Sequence, residues 1–558
     1  MAGRSPSGSS PCSGSRRGRA RRWTLAGWAV AGLSLPQFLA PQSSHGLTYV
    51  FGRRGDAGHA RGRKASLRVS LQQVVDEADV DPLLQFMPSS GDIMLMDSAE
   101  EVLEAVERHL PRFTTWHSMA ALRVLSKMGV SEPAASSEAM AKLITFHDHV
   151  LRRDDPPDFT QLITSTTVCC SKLVDQVPKV ERLAVTASYV AYRRIRDLRP
   201  ADVSLLTQFP AFQTENFLRH VASAVQRRMR MYSPAMLANV TVGYAKAKVR
   251  DSAFLQDVGD MFVNKLDIAL PWNVARMVQA YAMLGERHDE LLESSASYAA
   301  ENIGRFQVYE LNSLAWGFAK LGVGNKALGN ALAQAVSWRL SELSPGELST
   351  MVWSLVVHKL QGTTINAFTP RAAKAIVRDI ADYYPAAISR VVWSFAALNA
   401  SEPELLEAAA DRARAMLNEF TPIGVANMVW GFATLKYKDP ELMAGLARQA
   451  LGGLEAYSAQ DISNLAWSFA TLEISHPELF EAIAEQVVKR ISEFSQQGLD
   501  MVVWAFDSMQ LGNEQLMQAV SEHAKQHEET LRPAAAEDAE GPERVPVAAG
   551  AGGRLRSP

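Results

Sequence analysis

The sequence predicts an all-α fold, a right-handed superhelical α-solenoid of helical hairpins each about 37 residues long. Three observations predict it. Trp316, Trp353, Trp393, Trp430, Trp467 and Trp504 recur in one local frame, 37, 40, 37, 37 and 37 residues apart. Two further steps of 37 back from Trp316 land on Gln279 and Val242, inside Val-Gln-Ala-Tyr-Ala and Thr-Val-Gly-Tyr-Ala, the same frame without the Trp. Helix-start signals repeat with the same period.

The chain begins with a leader. Residues 1–70 carry twelve Lys or Arg against Asp56 alone. A basic stretch precedes an apolar run from Trp23 to Ala40, signal-like over 1–41. Residues 42–70 are rich in Arg, Ser and Gly, with Asp56 the one acid, which is transit-like. That order resembles the bipartite leaders of complex plastids, with a mitochondrial presequence as the alternative and a secretory or anchored fate as the third. Pro36 and the many Gly and Ala residues make a weak membrane span, so no stable membrane association is expected once the leader is removed. The rest of the chain is acidic, 45 basic against 59 acidic residues.

Residues 71–232 read as degenerate helical repeats, with Trp116–Met128, Thr164–Leu173 and Ala201–Phe209 in or near the frame. His147-Asp148-His149 lacks metal-ligand spacing, because residues two apart on a helix diverge; solvated helix residues are expected there. The three cysteines form no disulfide framework or zinc pattern, and the pair Cys169-Cys170 reads as buried small hydrophobes. Between 181 and 250, twelve basic residues stand against four acidic ones. Arg193, Arg194, Arg196, Arg199, Arg227, Arg228, Arg230, Lys246, Lys248 and Arg250 make this a candidate polyanion footprint, or else a solvated helix face.

Eight regular hairpins are expected over 233–530. Pro234, Pro271, Pro345, Pro385 and Pro422 share one slot, three of them preceded by Ser or Thr, as N-cap and first helical residue. Ser344-Pro-Gly-Glu347 adds a capping box. Pro403-Glu-Leu, Pro440-Glu-Leu and Pro477-Glu-Leu start the second helix, each with an acid in the first turn. On the 458–494 unit, Ile462, Leu465, Phe469 and Leu472 form the core stripe, and Ala466 and Ala470 a strip a neighbouring helix can approach. Trp467 lies at the edge, as inter-repeat core or as a base-stacking platform. Beside it a polar line runs through Asn464, Ser468 and Thr471.

Across the units that line begins with Asn239, Arg276, Ser313, Thr350, Arg390, Asn427, Asn464 and Met501, several able to bond a base edge. Its middle slot is always Gly, Ala or Ser, and its last slot includes Lys246 and Lys320. The alternative is that all three slots pack helix on helix. Residues 531–558, rich in Ala, Glu, Pro and Gly, read as a disordered tail.

Asn-Leu-Ala-Trp-Ser-Phe-Ala-Thr-Leu (464–472), Ser-Leu-Ala-Trp-Gly-Phe-Ala-Lys-Leu (313–321) and Asn-Met-Val-Trp-Gly-Phe-Ala-Thr-Leu (427–435) resemble the repeats of organellar helical-repeat RNA-binding proteins. These are the FAST-kinase-like leucine-rich and RAP-type proteins, the octotricopeptide and heptatricopeptide proteins, and the helical-repeat subunit of the RNA-editing substrate-binding complex, in the style of alveolate algae. The resemblance covers 230–526 well and 115–230 weakly. It implies an array that binds single-stranded organellar RNA and acts in processing, stability, editing or translation, with other ribonucleoprotein subunits as partners. The sequence itself shows no catalytic constellation, so neither an enzyme nor a cofactor is expected.

Two features depart from it. A C-terminal RAP module is missing, and residues 251–531 hold 20 basic against 34 acidic residues, unfavourable for phosphate. An armadillo- or HEAT-like protein scaffold is the alternative function. The glycines at 322, 324 and 329 resemble a nucleotide loop but fall at a hairpin break, and no P-loop or kinase signature exists.

Overall fold

The computed structural model describes residues 87–153 and 158–537; the leader lies outside the described residues. Every regular element among them is helical, with 25 α-helices and short 3-10 turns between many of them. The first nine are α1 (Ser90–Ile93), α2 (Ala99–His109), α3 (Thr115–Met128), α4 (Glu132–Ala135), α5 (Glu138–Leu151), α6 (Phe159–Leu173), α7 (Glu181–Arg193), α8 (Pro200–Leu206) and α9 (Glu215–Arg228).

Eight pairs follow: α10 (Pro234–Ala247) with α11 (Ser252–Val263), α12 (Pro271–Leu284) with α13 (Asp289–Glu301), α14 (Val308–Lys320) with α15 (Lys326–Val336), and α16 (Pro345–Val357) with α17 (Thr363–Arg378). The last four are α18 (Pro385–Ala397) with α19 (Pro403–Arg414), α20 (Pro422–Thr434) with α21 (Pro440–Leu451), α22 (Ala459–Thr471) with α23 (Pro477–Lys489), and α24 (Gln496–Ser508) with α25 (Glu514–Glu537). The helix α25 continues past Thr530 into the stretch read as a tail.

From α5 onward each helix packs on the helix two places along, which makes two rows, and α3 joins the first of them by packing on α6. The A row is α3, α6, α8 and then every even-numbered helix to α24; the B row holds their partners. A helices lie against one another more extensively than B helices do. The small middle slot explains this. Gly243, Ala280, Gly317, Ser354, Ser394, Gly431, Ser468 and Ala505 are all buried. A Cβ on Gly317 would come within 2.7 Å of Val278, and one on Gly431 within 2.6 Å of Val392, each on the preceding A helix. Only small residues permit that approach, so this slot is a packing seam rather than part of an open polar line.

The core lies between the rows. Two residues after the Trp position, Tyr244, Tyr281, Phe318, Leu355, Phe395, Phe432, Phe469 and Phe506 are buried. The two tyrosines keep their hydroxyls satisfied: Tyr281 donates to the Leu255 carbonyl at 2.5 Å, and Tyr244 donates to that of Leu218. The stripe Ile462, Leu465, Phe469 and Leu472 is buried as its spacing predicts, and so are Ala466 and Ala470.

Helix ends follow local chemistry. Ser344 Oγ accepts from the Glu347 amide while Glu347 Oε2 accepts from the Ser344 amide at 2.9 Å, completing the box. After every A helix from α10 onward the chain passes through one left-handed residue: Lys248, Gly285, Gly322, Lys359, Asn399, Lys436, Glu473 and Gln510, with φ between 52° and 67°. Gly322 is thus a helix cap, and Gly324 sits against the Val357 carbonyl; neither belongs to a nucleotide loop. The one 40-residue interval is absorbed by α17, which has 16 residues where α15 has 11 and α19 has 12.

One expectation for the early repeats needs correction, and the cysteine pair lies as expected. His147 and Asp148 are buried, not solvated, while His149 is exposed. The His147 ring bridges Ser118 Oγ (3.0 Å) and Thr166 Oγ1 (2.8 Å), and Asp148 holds Arg152 and Thr186. Helix α5 is therefore clamped on both sides, which an i, i+2 spacing argument does not reveal. Cys169 and Cys170 are buried, and burial pushes the Cys170 thiol up to about 12.

Candidate nucleic-acid interface

The basic segment of the sequence maps onto the C-terminal ends of two successive B helices, α7 and α9. Cations there complement the helix dipole, so local structure alone accounts for their placement. Their engagement differs. Arg194 is committed internally: its Nε donates to Asp197 at 2.8 Å and its guanidinium lies 4.2 Å from the centroid of the Phe159 ring. Arg199 is paired with Asp202 at 2.6 Å. Arg193, Arg196, Arg227 and Arg230 are exposed and form no ion pair among the described residues, and Arg228 is half-buried.

The turn after α9 forms one wall of an open groove of about 520 Å³, with Arg227, Arg228 and Arg230 on it. Asp257 and Asp260 stand on the opposite wall. Those carboxylates already have partners: Asp257 accepts from Gln226 at 2.8 Å, and Asp260 contacts His288 Nε2 at 3.0 Å. The groove floor is apolar, from Met229 and Met261.

The polar line divides into exposed and structural members. Lys246 and Lys320 are exposed at the ends of α10 and α14. Asn464 is half-buried, and its Oδ1 accepts from Gln460 at 3.0 Å. Asn239 is half-buried; its carbonyl accepts from the Gln208 amide, while its side-chain oxygen is buried without a partner. Arg276 reaches back two repeats to Gln208 Oε1 at 3.0 Å and stands 5.9 Å from the centroid of the Trp272 ring. Arg390 is buried, donating from Nη1 to Ser349 Oγ (3.1 Å) and Thr350 Oγ1 (3.0 Å) of α16. Asn427 is buried too, with its amide nitrogen unpartnered. Arg390 and Asn427 thus face the neighbouring A helix, not a ligand, because the close A-row approach covers the first slot in the middle of the array.

The tryptophans leave the main core and build a strip of their own. Trp353 is buried in a cluster with Ala319 and Val357, flanked by half-buried Trp316 and Trp393. Trp393 and Trp430 lie 5.9 Å apart, centroid to centroid, at 32°. Trp467 is half-buried, and Trp504 is 45% exposed at the last unit. The frame therefore makes an aromatic ladder on the A face, closed in the middle and open toward its C-terminal end.

Basic residues elsewhere serve as struts. Lys265, Arg339 and Arg490, 74 or 151 residues apart in one slot of the frame, donate to carbonyls of the preceding B-to-A turn: Tyr232 (2.6 Å), Phe306 (3.2 Å) and Tyr457 (2.8 Å). Trp338 lies off the Trp frame and is 78% exposed. Being off frame is the signal that could have singled it out. Among the described residues no His, Cys, Asp and Glu group could hold a metal ion, and no helix is long and apolar enough to cross a membrane.

A family model described as RNA-editing substrate-binding complex 6 protein matches residues 203–438 and, overlapping, 299–537, together more than half of the chain. No curated protein matches. A homology model of the full-length AP-3 complex in an intermediate open conformation aligns over 84% of this chain and 91% of that one, at 11% identity and a TM-score of 0.24.

Proposed function

Because the chain belongs to the RNA-editing substrate-binding complex 6 protein family, we propose that it is an RNA-binding subunit of an RNA-editing assembly, working in an organelle on single-stranded transcripts. The observation that carries this reading is the edge formed by Arg193, Arg196, Arg227 and Arg230. Four guanidinium groups without ion pairs sit at the ends of adjacent B helices, on a chain that is acidic over the rest of its array. Unpaired arginines at one edge suit phosphate oxygens, which they can engage two at a time. Lys246, Lys320 and Asn464 are the members of the polar line assigned to base contact. Other subunits of the assembly are proposed to take the acidic faces.

The order of the leader supports a complex plastid as the organelle, with the mitochondrial matrix as the alternative. Imaging a fluorescent protein fused behind residues 1–70 decides between them.

The test is equilibrium binding of the purified protein to single-stranded RNA across a salt series. Four phosphate contacts give a log–log slope of about −3. Absence of binding, or affinity indifferent to salt, would sink the proposal. A protein scaffold is the second reading, favoured by the 34 acidic against 20 basic residues over 251–531; recovery of protein partners without RNA supports it instead.

A further inference from the structure

Three independent features meet at an irregular place on the B face of the array. The repeat period breaks by three residues in α17. The same helix carries Pro370 in its interior, where proline removes a backbone donor. Beside it stands Trp338, the most exposed large apolar side chain among the described residues, at 78%. Charge changes sign here too. Residues 320–378 hold seven Lys or Arg against Glu342 and Glu347, a net of +5 inside an array whose total over 251–531 is −14.

The geometry is that of a half-built stack. The Arg371 guanidinium lies 3.9 Å from the centroid of the Trp338 ring and covers one face of the indole. The other face is left to solvent. Around the ring an open groove of about 370 Å³ is lined by Gln334, Ser337, Thr363 and Thr364 as well as Trp338 and Arg371. Gln334, Thr363 and Thr364 offer neutral donors and acceptors that suit a base edge, and Ser337, whose hydroxyl donates to the Ala333 carbonyl at 2.6 Å, adds an acceptor. Lys374 follows Arg371 by three positions on the same helix face; it is exposed and forms no ion pair among the described residues. Arg339 and Arg378 are spent on Glu342 (2.9 Å) and Asp379 (2.6 Å), so Arg371 and Lys374 are the cations at hand.

We propose that this groove is a second RNA contact, in which an unpaired base stacks on the open face of Trp338 while Arg371 and Lys374 hold the adjoining phosphates. The inference rests on the RNA-binding reading above and adds a site on the B face, distant in sequence from the arginine edge at 193–230. An acidic peptide would need the cations but would have no use for an open aromatic face ringed by hydroxyl and amide groups. A single-stranded nucleotide uses both.

The test uses the full chain and an oligouridylate with photoreactive bromouridine. Trp338→Ala weakens binding about tenfold, the scale of one lost base stack. Trp338→Phe keeps affinity within about twofold of the parent, because a smaller ring still offers a π-face. Arg371→Ala with Lys374→Ala weakens binding and flattens the salt dependence by about 1.4 in slope. Crosslinking maps to the peptide containing Trp338. The side chains are on the surface, and an unchanged helical circular dichroism spectrum shows that each variant folds. RNA binding by the parent that none of these variants alters, with no crosslink at Trp338, overturns this site and leaves the RNA-binding reading intact. Loss of a protein partner with RNA affinity unchanged also overturns it. A parent that binds no RNA overturns both.

Discussion

Gly431 shows how much one missing methyl group decides. Its Cβ would meet Val392 Cγ1 at 2.6 Å and the Val392 carbonyl oxygen at 3.0 Å, and backbone does not yield cheaply. Gly431→Ala gains about 1 kcal/mol of helix propensity but forces two A helices apart, at about 1–3 kcal/mol. The expected result is a net loss of up to about 2 kcal/mol in urea unfolding. A stability raised by the full propensity gain would show that the A row can open at no cost. The small residues of this slot were visible in the sequence. Packing of helix on helix was one of the two readings they offered, and the wheel could not choose, because it places them beside the Trp without saying that another helix covers them. For the same reason Arg390 and Asn427 looked available as base readers.

His147 makes the clearest pH argument at this scale. Burial lowers its pKa from 6.5 to about 4, and one flanking hydroxyl must turn from its helix carbonyl to donate to the bare ring nitrogen. His358, buried beneath α14, is lowered to about 4 by the same cause. A histidine with a depressed folded pKa is neutral in the fold and charged in the unfolded chain between the two values. The unfolded state therefore binds more protons there, and stability falls as pH drops from 6.5 toward 4. Each group accounts for a loss on the order of 3 kcal/mol across that window. Replacing His147 with Gln, which can still bridge two hydroxyls, should shallow the decline in unfolding midpoint over that pH range. An unchanged profile would assign the acid sensitivity elsewhere.

At the scale of the element, helix starts were legible and helix ends were not. Ser or Thr before Pro is chemistry written in two residues, and it marks the starts of α10, α16 and α20. The left-handed position after each A helix escaped notice because glycine occupies it at only Gly285 and Gly322; the other six are Lys, Asn, Glu or Gln. Those side chains hold a conformation that costs an L-residue about 1 kcal/mol. Lys436→Gly and Glu473→Gly should each raise unfolding stability by about 0.5–1 kcal/mol. No gain in the denaturation midpoint would mean that the side chain provides compensating contacts. The 3-10 turns that join each B helix to the next A helix are marked only by one apolar residue just before the A-helix N-cap. They form where an inward apolar residue such as Phe306, Tyr383 or Phe420 pulls the linker against the core.

For the whole molecule, period was enough to give the architecture and net charge was not enough to give the interface. Counting found the basic segment between 181 and 250, but Arg194 and Arg199 in it are tied to Asp197 and Asp202. Ion pairs and carbonyl struts are facts of three dimensions. The surviving cations are Arg193, Arg196, Arg227 and Arg230, and they set the expectation for mutants. Arg227→Ala with Arg230→Ala should weaken RNA binding and reduce the salt slope by about 1.4, uniformly across sequences. A change confined to one RNA sequence would instead give these residues a role in reading bases. The positive window at 320–378 was missed because the surrounding acid excess hides it in any longer count.

The tight A row has a mechanical consequence. A stack pinned by close backbone contact along one edge and joined more loosely along the other resists stretching but yields to bending. The pinned edge is the neutral axis, and the B helices swing about it as leaves of a book swing about the spine. Strain from a partner seated on the B face is then shared over many units as small rotations, none of which breaks a repeat. Position along the array matters as well. The unit with the lengthened α17 is an internal joint whose leaf is longer than those on either side of it, and curvature on its two sides need not match.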